Sequence, residues 1–350
     1  MSVTTAIGIM SGTSLDGVDL AYCVFDKKEG QWEFDIIKAI TVEYDDEWKN
    51  KLISAPKLCS KELIKLDYEY GHYLGRLVSA FAKRQNLKPD IVASHGHTIF
   101  HNPKEKYTLQ IGNGTALRSH ISCPLVFDFR SQDIALGGQG APLVPIGDEL
   151  LFHKYDACIN LGGFANISLD KDGERIAWDI GPFNLVFNYL AKKKGFEYDK
   201  NGDIAMRGNI NNELLDKLNS IDYYSQPHPK SLGREWLEEV FTPIIENSYL
   251  STENKMRTCA EHISLQIANS FSEDFNNVLF TGGGAFNRYL MKLIEEKTNC
   301  KITVPNELLI NYKEALIFAF LGVLRINNEV NVLSSVTGAV RNHSSGSLIN

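Results

Sequence analysis

Ile7-Gly8-Ile9-Met10-Ser11-Gly12-Thr13-Ser14-Leu15-Asp16-Gly17-Val18-Asp19 is a small polar loop with a carboxylate, set between two apolar runs of β type. Val3 to Ile9 and Val18 to Phe25 read as strands, so Gly12-Thr13-Ser14 is a turn whose N–H groups and hydroxyls can cradle a phosphate. No Lys-Ser/Thr follows the glycines, which excludes a P-loop. A strand rather than a helix comes next, which excludes the dinucleotide fingerprint. Gly, Ser and Asp also favour tight hairpins for conformational reasons alone, so the loop by itself leaves hairpin and phosphate cradle both open.

Outward from the loop, Thr4–Ile9, Val18–Phe25 and Glu33–Val42 read as three consecutive strands. Leu63, Leu66, Tyr70, Leu74, Leu77 and Phe81 recur at three- and four-residue steps and predict a helix from Lys61 to Arg84. A strand at Ile91–Ala93, a helix near Gly114–His120 and a strand at Leu125–Phe127 follow. The second half repeats the plan: strands Ala157–Leu161, Ala165–Leu169 and Arg175–Trp178, helix Lys255–Phe271, strand Val278–Thr281, helix Phe286–Lys297, strand Ile302–Val304 and helix Tyr312–Leu324. Each half thus predicts a mixed α/β sheet covered by helices. The duplication is architectural, with no residue-level repeat. Asp199–Tyr224, rich in Asn, Asp and Gly, reads as an insertion or mobile loop with Asp203 and Arg207 at its surface.

The length of 350 residues, with 43% hydrophobic and 23% charged, fits about two globular domains. A net charge of −7 argues against a polyanion held by bulk electrostatics, so nucleic acid is not expected. A phosphorylated small molecule remains open to local donors and a metal. No basic leader and no apolar run of membrane-span length stand in the sequence, so a cytoplasmic protein without a membrane partner is expected. Cys23, Cys59, Cys123, Cys158, Cys259 and Cys300 are scattered singly and read as reduced thiols.

Three glycine turns follow strand ends: Ser11–Gly17, Asn160–Gly163 and Thr281–Gly284. Open α/β sheets bind ligands at the carboxyl ends of their strands, so the three can serve one ligand. Asp128–Pro145 packs carboxylates, an arginine, glutamines and glycines into one loop region, which suits a ligand loop or an interdomain linker. Asp179, between a strand and a helix, can be a general base, a metal ligand or a helix N-cap; Pro182 places the helix start a few residues later. Glu314 falls in the first turn of the predicted last helix, where the macrodipole alone favours an acid, so on residues alone it is structural. His95, His97 and His101 have metal-like spacing without a matching acidic or cysteine ligand, which favours substrate hydrogen bonding or packing. Pro227-His228-Pro229-Lys230-Ser231 is a rigid turn that presents Lys230 or Ser231 to a ligand, or else a helix-start signal.

Taken together these segments resemble the anhydro-N-acetylmuramic acid kinase family of the sugar kinase, Hsp70 and actin superfamily. The resemblance runs through Gly8–Asp19, Ser94-His95-Gly96, Leu109–Gly114, Asp128–Pro145, Asn160-Leu161-Gly162-Gly163, Asp179-Ile180-Gly181-Pro182, His228–Ser231, Gly282-Gly283-Gly284-Ala285 and Lys313-Glu314-Ala315. It implies a duplicated, two-domain RNase H-like fold with a nucleotide cleft between the domains. The first domain would be residues 1–140, with the phosphate loop and part of the sugar site. The second would be residues 141–350, with the catalytic aspartate and the nucleoside site, its tail returning to the first.

The resemblance also implies a reaction. ATP's γ-phosphate goes to O6 of 1,6-anhydro-N-acetylmuramic acid while water opens the bridge at C1, giving N-acetylmuramic acid 6-phosphate and ADP in cell-wall recycling. On that likeness Asp179 is the base for water and Glu314 the carboxylate that assists it. Gly12, Thr13, Ser14, Leu15, Asp16, Gly17, Val18 and Asp19 match the ATP-phosphate loop, with Asp16 on Mg²⁺. Gly162, Gly163, Gly282, Gly283 and Gly284 take the other phosphate and the nucleoside, and His95, Arg130 and Asp133 face the sugar. A homodimer is implied as well. His97 stands where the family usually has Gln, and Phe183 where it usually has Gly, a change that can narrow the site. An ordinary sugar kinase and an actin- or Hsp70-like nucleotide-driven module are the competing readings.

Overall fold

The structure is a computed structural model that describes residues 3–350. The chain divides into two compact units, one running through Leu151 and taking in Tyr312–Asn350, the other Phe152–Asn311.

The first unit opens with β1 (Thr4–Met10), β2 (Gly17–Lys28) and β3 (Gln31–Glu43), continues through β4 (Ile91–Ser94), the hairpin β5 (His97–Asn102) and β6 (Tyr107–Ile111), and reaches β7 (Leu125–Phe127). A C-terminal strand, Ser347–Ile349, pairs antiparallel with β7, and the sheet order from it is β7-β4-β1-β2-β3. β1, β2 and β3 pair antiparallel in sequence, whereas β4 is parallel to β1 and β7 to β4. Along β2 Val18 and Leu20 are buried on one face of the strand, whereas Cys23 and Phe25 are buried on the other, where Phe25 meets Phe320 with ring centroids 5.3 Å apart, so the sheet is covered on both faces. The helix Ser60–Gln85 buries Leu66, Tyr70, Leu74, Val78 and Phe81 on one stripe and stops at Asn86 in the left-handed conformation.

The helix Glu307–Ile326, which from Tyr312 onward belongs to this unit, packs its backbone against the sheet at glycine. A Cβ on Gly8 of β1 would lie 1.8 Å from the Ala315 carbonyl oxygen, and one on Gly322 would lie 2.6 Å from Ala93 of β4. This helix begins at Glu307 and not near Tyr312, so Glu314 sits about two turns inside it. The first-turn dipole reading of Glu314 therefore fails. Residues 141–151, expected in the second half, pack here too, because Gly147 presses on Ile317 and buried Asp148 pairs with buried Lys313 at 2.7 Å.

The second unit has β8 (Ala157–Leu161), β9 (Phe164–Lys171), β10 (Glu174–Pro182), β11 (Asn277–Thr281) and β12 (Lys301–Thr303) in the order β10-β9-β8-β11-β12. Three antiparallel strands again lead into two parallel ones, the same topology as β3-β2-β1-β4-β7. Its core gathers Ile159, Ile167, Phe183, Phe187, Ile263, Phe280 and Leu290. Asp199–Tyr224 is not a loose insertion. It forms the short helices Asp203–Met206 and Asn212–Asn219, with Leu214, Leu218 and Tyr223 buried and Asn219 bonded to His262 at 2.6 Å.

Candidate active site

In the first unit the turn after β1 carries exposed Thr13, Ser14 and Asp16, while Ser11 beneath it is buried. Leu15 takes positive φ (61°) and its N–H reaches the Gly12 carbonyl at 3.4 Å, so the backbone curls into a cup. Gly17 lies flat on β3, where a Cβ would meet the Val42 carbonyl at 2.4 Å, and buried Val18 then anchors the return strand. Asp19 accepts from Thr41 Oγ1 at 2.6 Å, and its carboxyl is raised, chiefly by burial and in smaller part by the nearby Asp16 charge. Two carboxylates that repel each other, with only oxygen ligands on offer, suit a hard divalent cation that keeps most of its waters. Among the described residues no group of three or more His, Cys, Asp or Glu could hold a metal, so His95, His97 and His101 are not a metal centre.

Arg130 is the organising cation of this unit. Its Nε and Nη2 donate to His95 Nε2 at 3.0 and 2.9 Å, and Nη1 donates to the Gly140 carbonyl at 2.6 Å. His95 Nδ1–H donates in turn to the Gly96 carbonyl at 2.9 Å. Burial first and the Arg130 charge second hold His95 well below its ordinary pKa, so it is neutral and its Nε2 is an acceptor. Two guanidinium N–H groups remain for a ligand. Burial also lowers Arg130, to about 10, opposed by Glu314 and then Asp133.

Asp133 does not face a sugar. It is fully enclosed, with Oδ2 accepting the Gly140 N–H at 2.6 Å and Oδ1 the Thr337 hydroxyl at 2.8 Å. The Asp128–Pro145 region is thereby folded around it and tied to the C-terminal segment, where Gln139 N–H meets the Thr337 carbonyl at 2.8 Å. The region is neither a linker nor free. Glu314 is open to solvent, yet the protein around it raises its carboxyl; Arg130 lowers it, Asp19 raises it and Lys313 lowers it. Water contact and strong desolvation coexist where a side chain sits in a recess, and the solvent contact is what matters for chemistry.

In the second unit Asp179 lies at a bulge near the end of β10. Its Oδ2 accepts the Leu232 N–H at 2.8 Å and its carbonyl accepts the Tyr223 hydroxyl at 2.6 Å. The next helix starts at Asn184 with Phe183 as its cap, so Asp179 is not an N-cap. Burial pushes its carboxyl up to about 6, against the lowering effect of the Leu232 N–H. The neighbouring Lys230 is tied to the Tyr223 carbonyl at 2.9 Å, and His228 stacks on Trp178 with ring centroids 4.9 Å apart.

The glycine turns of this unit divide their work. The Gly162 and Gly163 carbonyls accept from Asn184 and Phe183 N–H at 3.2 and 2.9 Å, so only the N–H side of that turn can face a phosphate. Gly282 has φ of 80° and a Cβ there would meet Asn160 Oδ1 at 2.5 Å; on Gly284 it would strike the Phe183 ring at 2.2 Å. Gly283 between them opens onto empty space. Phe183 is fully buried against Gly284 and Phe187, so it does not narrow the site.

A model of the anhydro-N-acetylmuramic acid kinase family matches residues 4–350. An anhydro-N-acetylmuramic acid kinase of Sulfurovum sp. (strain NBC37-1) is 35% identical, over 96% of this chain and 96% of its own. The enzyme of the same name from Sulfurimonas denitrificans is 34% identical over 98% of each chain. The chain belongs to the anhydro-N-acetylmuramic acid kinase family. A further member, from Bacillus cereus, is 30% identical over 95% of each chain.

Within this kinase fold some residues near the site carried no sequence signal. Tyr44 and Tyr70 are such residues, joined through their hydroxyls to Ser11 beneath the loop. Tyr70 reads only as one more apolar position on a helix. Leu232 and Tyr223, which hold Asp179, stand 53 and 44 residues from it, and no local pattern reveals them.

Proposed function

We propose that this protein is the ATP-dependent kinase that hydrolytically opens 1,6-anhydro-N-acetylmuramic acid and phosphorylates O6, with Asp179 as the base. The observation that carries the proposal is the placement of Asp179 at the bulge near the end of β10, half-buried and held by the Leu232 N–H at 2.8 Å, where burial pushes its carboxyl up to about 6. At neutral pH it is ionised, yet basic enough to take a proton in the transition state. The water proton passes to Asp179, the oxygen bonds to C1, the C1–O6 bond breaks, and O6 takes the γ-phosphoryl group as ADP leaves.

The phosphate-loop role falls to Gly12–Asp19, with exposed hydroxyls and a cupped backbone to support it. Asp16, with Asp19 beside it, is the place for Mg²⁺, which when bound neutralises phosphate charge. Gly162, Gly163 and Gly283 offer backbone to the other phosphate and the nucleoside. Arg130, steadied by His95, has two N–H groups for the lactyl carboxylate of the sugar. Glu314 is the second carboxylate of the reaction. The family likeness further suggests a cytoplasmic homodimer. No helix among the described residues is long and apolar enough to cross a membrane.

Mass analysis of the product from ATP, the anhydro sugar and ¹⁸O-water tests the reading. One labelled oxygen at C1 is expected. Phosphorylation of ordinary sugars without label would replace it by a simple sugar kinase, and ATP turnover indifferent to any sugar would overturn both.

A further inference from the structure

Ser11, the residue that leads into Gly12, is held from below by a buried string of polar groups. Its Oγ lies 2.7 Å from the Tyr44 hydroxyl and 2.9 Å from His97 Nδ1, and the Tyr44 hydroxyl lies 2.5 Å from that of Tyr70. Ser11, Tyr44, Tyr70 and His97 are all buried. Tyr70 comes from the long helix Ser60–Gln85 and His97 from the start of β5, so the string ties the loop to two rigid elements.

Proton accounting fixes its direction. Three hydroxyl protons and three hydrogen bonds are available. If every hydroxyl donates toward His97, Tyr70 gives to Tyr44, Tyr44 to Ser11 and Ser11 to His97 Nδ1, and no proton is left over. If His97 donated instead, the Tyr70 proton would be stranded at the buried far end, which is unfavourable. Burial holds His97 down at about 4, so the ring is neutral and Nδ1 is free to accept.

We propose that His97 is a positioning residue for the phosphate loop, serving as the obligatory hydrogen-bond acceptor that orients Ser11 and thereby the backbone of Gly12–Asp16. The inference rests on the reading that this loop binds ATP. It follows that Gln, the residue expected at this place from the family resemblance, should be able to replace His97, because a Gln Oε1 is also an acceptor.

The test uses the full-length protein and three variants. His97→Phe removes the acceptor and keeps a ring; KM for ATP and Kd for ADP are expected to rise about tenfold, with kcat changed much less. His97→Gln restores both constants to within about threefold of the parent, because it returns the acceptor. Tyr70→Phe leaves them nearly unchanged, since only the first donor of the string is lost.

A His97→Phe protein that melts earlier but keeps its ATP constants would make His97 purely structural and overturn the inference. A Tyr70→Phe variant as impaired as His97→Phe would reverse the direction of the string and overturn the acceptor role. A Gly12→Val variant separates the two levels. If it too leaves ATP binding intact, the phosphate-loop reading has failed; if it abolishes binding while His97→Phe does not, only the present inference has.

Discussion

Asp179→Asn is expected to inactivate the enzyme and stabilise it at once. Burial raises the carboxyl from 3.8 to about 6, so the fold favours the neutral form by about 3 kcal/mol. Solvent access to the half-buried side chain reduces the recoverable part to about 1–2 kcal/mol. Asn keeps the size and still accepts the Leu232 N–H, so the variant collects that gain without losing the bond. The sign follows from linkage: because the folded pKa lies above the unfolded one, ionised Asp179 destabilises the native state above about pH 6. The advantage of Asn is therefore full above about 6, shrinks between 6 and 3.8 and vanishes below. Activity moves the other way, since Asn cannot take a proton, and a loss of about 10²–10⁴ in kcat is expected. The parent's kcat should itself fall about tenfold per pH unit below 6. ADP release with the anhydro sugar, and urea unfolding at pH 7.5 and pH 4, measure both sides. A variant with parental turnover, or one less stable than the parent at pH 7.5, would refute the reasoning.

Asp133→Ala strands the Gly140 N–H and leaves the Thr337 hydroxyl only its longer bond to the Leu333 carbonyl at 3.3 Å, and urea unfolding should report a loss of about 1–3 kcal/mol; a neutral result would mean the loop is held otherwise. Gly8→Ala puts a Cβ 1.8 Å from the Ala315 oxygen and should lower solubility and stability by more than about 3 kcal/mol, whereas Gly283→Ala, facing open space, should stay within about 0.5 kcal/mol on the same unfolding curves. Asp16→Asn should raise the Mg²⁺ concentration for half-maximal activity about tenfold in a metal titration, and an unmoved midpoint would take Asp16 away from the metal.

The parts legible in the sequence are those with local causes. Apolar runs and alternation revealed both sets of three antiparallel strands, and the polar residues between two of them marked the turn Ser11–Asp16. Asp199–Tyr224 escaped because two leucines, Leu214 and Leu218, are its chief apolar anchors in a polar stretch. The true start of the C-terminal helix did leave a signal in Asn306, whose side chain caps Leu309 N–H at 2.9 Å. The hairpin of β5 and β6 is hidden on its β5 side, where His97-Thr98-Ile99-Phe100-His101-Asn102 has no apolar period; β6 alternates Tyr107, Leu109 and Ile111 with Thr108 and Gln110 but is only five residues long. Asp133 was misread because its partner Thr337 is 204 residues away, and no pattern in either segment names the other.

Glu314 shows how one helix boundary changes a functional argument. In a first turn, an acid needs no reason beyond the macrodipole, and its replacement by Gln would lose only tenths of a kcal/mol with activity intact. About two turns inside the helix that support is gone, because the dipole acts within the terminal turn. What surrounds Glu314 instead is protein that desolvates it, the Arg130 guanidinium that favours its charge and the Asp19 carboxylate that opposes it. The contact of Gly8 with the Ala315 backbone fixes it there, one residue from the tightest approach of helix to sheet. A carboxylate held above its ordinary pKa gives no net stability, so Glu314→Gln should leave the urea midpoint unchanged or slightly higher. It should nevertheless lower kcat on the anhydro sugar by about 10²-fold, as loss of an acid–base group does. The opposite pair of results, lower stability with parental kcat, would return Glu314 to a structural role.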